Sequence, residues 1–160
     1  MLDLIAARKH VGTWSGEVYI DDTPRSKYFG RESAYVLQDD IHISTLSVEE
    51  TIRYSARTKL PEGTTPAEIQ KRVDQLLEMM GLDHVRASLV GDPMTKGISG
   101  GQLKRLSIAV EIVALPRLIF LDEPTSGLDS SIAFEVMSTV RNIINDQRTC
   151  VSTIHQPSRD

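Results

Sequence analysis

Cysteine is almost missing: Cys150 stands alone among 160 residues, so no internal disulfide staples the fold and a reducing compartment suits the chain. Aromatic residues make up only 5%, and Trp14 and the four tyrosines show no stacking pattern. The 18 basic residues are scattered and outnumbered by 22 acidic ones; the net charge of −4 argues against a general partner of nucleic acid or of a membrane surface. No apolar run approaches the ~20 residues of a membrane-spanning helix. In the first nine residues the basic Arg8 and Lys9 follow the apolar stretch, an order unlike that of a signal peptide. Also missing from the 160 residues is any Gly-x-x-x-x-Gly-Lys-Ser/Thr run, the loop that grips nucleotide phosphates.

What is present reads as one domain of ordinary size, 40% apolar and 25% charged. Residues 1–9 read as the end of a helix, Gly16–Ile20 as a strand, 21–24 as a turn and Ser33–Leu37 as a second strand. Ser47-Val48-Glu49-Glu50 and Thr65-Pro66-Ala67-Glu68 are capping-box patterns that open helices. After the second, Ile69, Val73, Leu76, Leu77 and Met80 form one apolar stripe stopped by Gly81, and the Met79-Met80 pair is expected in the core. A further helix starts at Ser99 or Gly100. Residues 118–121 are a continuous apolar run, the mark of a strand buried on both faces; Ile132, Val136, Val140 and Ile143 carry a helix, and Thr149–Ile154 forms a last strand. The fold class is α/β: residues 1–45 and 116–160 supply the sheet-bearing core and 46–115 a mainly helical subdomain.

Two segments carry chemistry. Gly97-Ile98-Ser99-Gly100-Gly101-Gln102 is a glycine-rich turn opening a helix, whose bare N–H groups and dipole favour an anion. Leu118-Ile119-Phe120-Leu121-Asp122-Glu123-Pro124 ends a buried strand in two carboxylates, one suited to Mg²⁺ or its waters and the next to polarising an attacking water. Taken singly, each also suits a plain structural role, the first as a helix cap and the second as an ordinary acidic strand end. Gln38 and His155 likewise end strands, where either is a turn residue or a phosphate-facing group.

In order and spacing, the segments resemble the ATP-binding-cassette (ABC) ATPases. Val36-Leu37-Gln38-Asp39-Asp40 resembles the Q-loop and Ile98-Ser99-Gly100-Gly101-Gln102 the signature. Leu118–Glu123 resembles Walker B, Ser126-Gly127-Leu128-Asp129 the D-loop and Ile154-His155-Gln156-Pro157-Ser158 the switch-histidine loop. Lys104-Arg105-Leu106-Ser107-Ile108 and the wording around Gln38 and His155 are similar to the G subfamily, the white and pleiotropic-drug-resistance types. The resemblance implies a partial P-loop NTPase core sheet with a helical signature subdomain, and ATP and Mg²⁺ as ligands. It makes Glu123 the general base, Asp122 a Mg²⁺-associated carboxylate and His155 a γ-phosphate contact. Gln38 senses Mg²⁺ and water and couples to the membrane domain, while Ser99, Gly100, Gly101 and Gln102 serve the ATP of a second cassette and Asp129 crosses to it. The implied partners are that head-to-tail second domain and a transmembrane domain, at the cytoplasmic face of a membrane; the implied work is export of lipophilic compounds.

The departure is the missing Walker A loop, which in the family precedes the segment that Met1–Lys9 resembles. Met1 is therefore expected to be an internal methionine, with the phosphate loop and base-stacking aromatic upstream and membrane helices downstream. The 160 residues alone are expected to be inactive. The resemblance implies that the strand leading into that loop lies beside the Walker B strand, so its loss is expected to leave open edges flanked by apolar strands such as 118–121, an aggregation hazard that predicts poor solubility. An alternative is a truncated, non-catalytic cassette that offers its signature face to an intact partner.

Overall fold

The computed structural model describes residues 1–9, 11–92, 94–144 and 148–155. Its main sheet is three-stranded and parallel, in the order β3 (Ser33–Val36), β4 (Leu118–Leu121), β5 (Thr149–Ser152). Val36, Leu121 and Ser152 lie side by side in register, so all three strands end at one rim. The apolar run 118–121 is thus the central strand, paired along both edges by β3 and β5. Neighbours on each side satisfy its backbone; among the described residues the unpaired edges belong to β3 and β5. Both faces of β4 are buried, as its unbroken apolar run requires. Ile119 and Leu121 face the larger core, while Phe120 packs with Tyr35, Phe29, Leu2 and Ala6 in a smaller one.

Before the sheet come α1 (Leu2–Ile5), the two-residue strands β1 (Tyr19–Ile20) and β2 (Thr23–Pro24), and α2 (Phe29–Glu32). The strand expected over 16–20 is shorter, and Thr23–Pro24 is its antiparallel partner instead of part of the turn. Asp21 and Asp22 make that hairpin turn, both at positive φ, the demand of a tight two-residue connection. The last strand closes at Ser152, two residues early.

The helices α3 (Val48–Lys59), α4 (Pro66–Met79) and α5 (Gly100–Ile112) follow β3, and α6 (Ser130–Ile144) joins β4 to β5. Both expected capping boxes are formed, Ser47 with Glu50 and Thr65 with Glu68, and Gly81 follows α4 at φ +62°. Their buried faces, including Val48, Ile52, Val73, Leu76, Leu77, Leu106 and Val136, form the larger core. Of the methionine pair only Met80 is buried; Met79 is 41% exposed. Half-buried Arg72 donates to the carbonyls of Ile112 and Val113, tying α4 to the C-terminal end of α5, where the helix leaves carbonyls unpaired. Cys150 is half-buried against the larger core, and burial pushes its thiol up to about 11, which leaves it little thiolate for chemistry at neutral pH. Among the described residues no helix is long and apolar enough to cross a membrane.

Candidate nucleotide site

Parallel register brings the candidate residues of three distant segments to one rim. Asp122 follows β4, with its N–H bound to the Val36 carbonyl at 3.0 Å. Its carboxylate is held from both sides: Tyr35 Oη donates to Oδ2 at 3.0 Å and Thr153 Oγ1 to Oδ1 at 2.7 Å. Burial above all, then hydrogen bonds to Asp3 and Asp122, raises the Tyr35 hydroxyl well above its ordinary value, so it stays a donor. Arg8 lies over the same ring, 4.5 Å from its centroid.

Glu123 takes φ +45°, a left-handed conformation unfavourable for a residue with a side chain. Its N–H donates to Thr153 Oγ1 at 3.0 Å, and its carbonyl accepts from the Ser126 N–H at 3.0 Å. The strained turn directs the carboxylate toward β3, where Gln38 Nε2 donates to Oε2 at 3.0 Å and lies 3.5 Å from Ser126 Oγ. Gln38, Asp122 and Glu123 are therefore one connected group. His155 lies three residues beyond β5 on the neighbouring strand end; it is exposed and makes no hydrogen bond or ion pair among the described residues. Gln156, Pro157 and Ser158 of the expected histidine loop lie outside the described residues.

The glycine-rich segment forms a second, separate feature. Ser99 caps α5 in a reciprocal box: its Oγ accepts from the Gln102 N–H at 3.3 Å, while Gln102 Oε1 accepts from the Ser99 N–H at 2.8 Å. The N–H groups of Gly100 and Gly101 bind nothing among the described residues, which leaves the helix start open to an anion. Gly101 also has a packing reason: a Cβ built there would sit 2.3 Å from Ile132 Cγ2 on α6. Asp129 caps α6, accepting from the N–H groups of Ser131 and Ile132 at 3.0 Å each, yet remains exposed. Since a β-branched methyl has little room to move, Gly101→Ala is expected to cost about 1–3 kcal/mol in urea unfolding of the domain that carries it. A variant as stable as wild type would show that the contact relaxes freely.

Three functional neighbours were not visible in the sequence. Tyr35, Thr153 and Lys104 are 87, 31 and 66 residues away from the groups they hold. Only the strand-end position of Thr153 hinted at one of them.

The ABC transporter family model matches residues 1–126. The chain is 47% identical to the protein named ABC transporter G family member 31 of Arabidopsis thaliana over 161 residues, covering all of this chain and 11% of that protein. It is 43% identical over 157 residues to the broad substrate specificity ATP-binding cassette transporter ABCG2 of Bos taurus, covering 98% of this chain and 24% of that one. It thus spans a quarter or less of these curated relatives. A dimeric structure of a post-hydrolysis state of the ATP-binding cassette MJ0796, bound to ADP and Pi, superposes with a TM-score of 0.73 at 25% identity, covering 97% of this chain and 68% of that one.

Proposed function

The chain belongs to the ABC transporter family, as a nucleotide-binding segment related to its G subfamily, and on that footing we propose the roles of its residues. It forms part of an ATP-hydrolysing domain whose parent chain drives export of lipophilic substrates across a membrane. The observation that carries this is the hydrogen-bonded group Gln38–Glu123 and Asp122–Thr153 at the carboxyl rim of a parallel sheet, where phosphates bind in such folds. Residues 46–115 serve as the helical signature subdomain between the two parts of the core.

Glu123 is the general base: its carboxylate, oriented by Gln38, accepts a proton from the attacking water. Asp122 is the carboxylate associated with Mg²⁺. The donor set is a single carboxylate, Asp122, whose two oxygens Tyr35 and Thr153 fix at the sheet rim. That is the arrangement expected when Mg²⁺ is held by substrate phosphates, water and one carboxylate. Held by Asp122, such an ion would supply charge neutralisation for the transferred phosphoryl group. His155 contacts the γ-phosphate, and its exposed imidazole leaves it available to do so. Ser99, Gly100, Gly101 and Gln102 present their helix start to the ATP of a second, head-to-tail domain. Asp129, rigid through its cap on α6, meets that domain too. The missing Walker A loop makes the 160 residues inactive by themselves.

Thr153→Val removes one donor to Asp122 and leaves the Glu123 N–H without its acceptor. At about 1.5–3 kcal/mol for a hydrogen bond to a charged group, kcat of the parent transporter is expected to fall roughly tenfold or more. Thr153→Ser restores it; equal rates for Thr and Val would remove Thr153 from the site.

The whole reading is tested by sequencing the transcript from its capped 5′ end. An in-frame Gly-x-x-x-x-Gly-Lys-Ser/Thr upstream of Met1 and apolar spans downstream of Asp160 are expected. A message starting at Met1 and stopping after Asp160 overturns the transporter reading.

A further inference from the structure

Lys104, on the second turn of α5, is only 2% exposed. Removing an ammonium from water is costly unless partners meet it. Among the described residues its partners all come from the four residues after β3. Its Nζ donates to the Gln38 carbonyl at 2.8 Å, approaches the Leu37 carbonyl at 3.5 Å, and stands 2.9 Å from Asp40 Oδ1. The contact with Asp40 is ionic and lies off the hydrogen-bonding direction, so that buried oxygen has no hydrogen-bond donor. An apolar residue would fill the same helix position without the desolvation cost; what the cation adds is a grip on the loop backbone.

The gripped residue is Gln38, whose Nε2 faces Glu123 Oε2 at 3.0 Å. One buried side chain thus connects the helix beginning at Ser99-Gly100-Gly101 with the amide that orients Glu123. Under the proposed function, on which this inference rests, those two ends serve different nucleotides of the head-to-tail pair. We infer that Lys104 is a positioning residue that couples the two half-sites. When the start of α5 engages the partner's nucleotide, the shift is passed through Lys104 to the Gln38 backbone and so to Glu123.

The test uses the full-length parent transporter and steady-state ATPase kinetics. A single Lys104→Met would strand the Asp40 charge in the interior, so the informative variant is Lys104→Met with Asp40→Leu. An apolar pair commonly replaces a buried ion pair without loss of stability. The expected result is a kcat reduced about tenfold, within the hundredfold that a ~1 Å misplacement causes, with KM for ATP unchanged within about twofold. Ser99→Ala supplies the readout that a merely structural residue would not move. It is expected to lower kcat several-fold in wild type but by less than about twofold in the doubly substituted background, because the link is already cut. Unchanged kcat in the double variant, or fold-losses that simply multiply, overturns the inference alone. A wild-type transporter without Mg²⁺-dependent ATPase activity overturns the proposed function itself.

Discussion

Glu123→Gln in the parent transporter is expected to lower ATP turnover by about 10²–10⁴-fold while nucleotide still binds. The substitution isolates basicity from shape. Gln38 Nε2 donates to Glu123 Oε2 at 3.0 Å, and an amide oxygen accepts that bond as well as a carboxylate oxygen does. The turn is also preserved, since the φ of +45° and the N–H bond to Thr153 Oγ1 belong to the backbone. What disappears is the ability to take a proton from water. Single-turnover hydrolysis measured beside equilibrium ATP binding separates the two properties. If the variant hydrolyses at the wild-type rate, Glu123 is a strand-end carboxylate and the base lies elsewhere.

The second large effect concerns the 160 residues taken alone, which are expected to bind ATP about a thousandfold more weakly than a cassette with its phosphate loop. That loop supplies charge-assisted hydrogen bonds to the β- and γ-phosphates, each worth about 1.5–3 kcal/mol. Three of them at the low end amount to roughly 4–5 kcal/mol, or about three decades in Kd. The rim group here contributes no cation of its own: Gln38, Asp122, Glu123 and Thr153 are neutral or acidic. Isothermal titration with Mg²⁺-ATP should therefore show no micromolar binding, and a phosphate-release assay no turnover. A clean Mg²⁺-dependent rate from this chain would refute the prediction.

Much of the helical architecture was legible residue by residue because its determinants are local. Ser47/Glu50, Thr65/Glu68 and Ser99/Gln102 each close a capping box within four residues, and a stripe at helical spacing buries Val73, Leu76 and Leu77. The short hairpin was legible only in part. Two-residue strands carry too few alternations to define their length, so the sequence predicts a strand over 16–20 and a turn over 21–24 where Tyr19–Ile20 pairs with Thr23–Pro24. The helix α2 spans one turn and has no side-chain cap to announce it.

The candidate site divides along the same line. Residue types and spacing drew attention to the strand-end pair Asp122 and Glu123 and to the helix start at Ser99, Gly100 and Gly101, while Gln38, Asp129 and His155 became candidates only through the resemblance of their segments to a family's motifs. Which strand lies between which others was not contained in any local pattern: a strand's own residues name its buried faces but not its neighbours. Only the packed chain put 118–121 in the centre, set Tyr35 and Thr153 on the two oxygens of Asp122, and brought Lys104 under the Gln38 carbonyl. These are contacts across tens of residues, chosen by strand register and helix packing, and neither leaves a period or a cap for a linear reading to find.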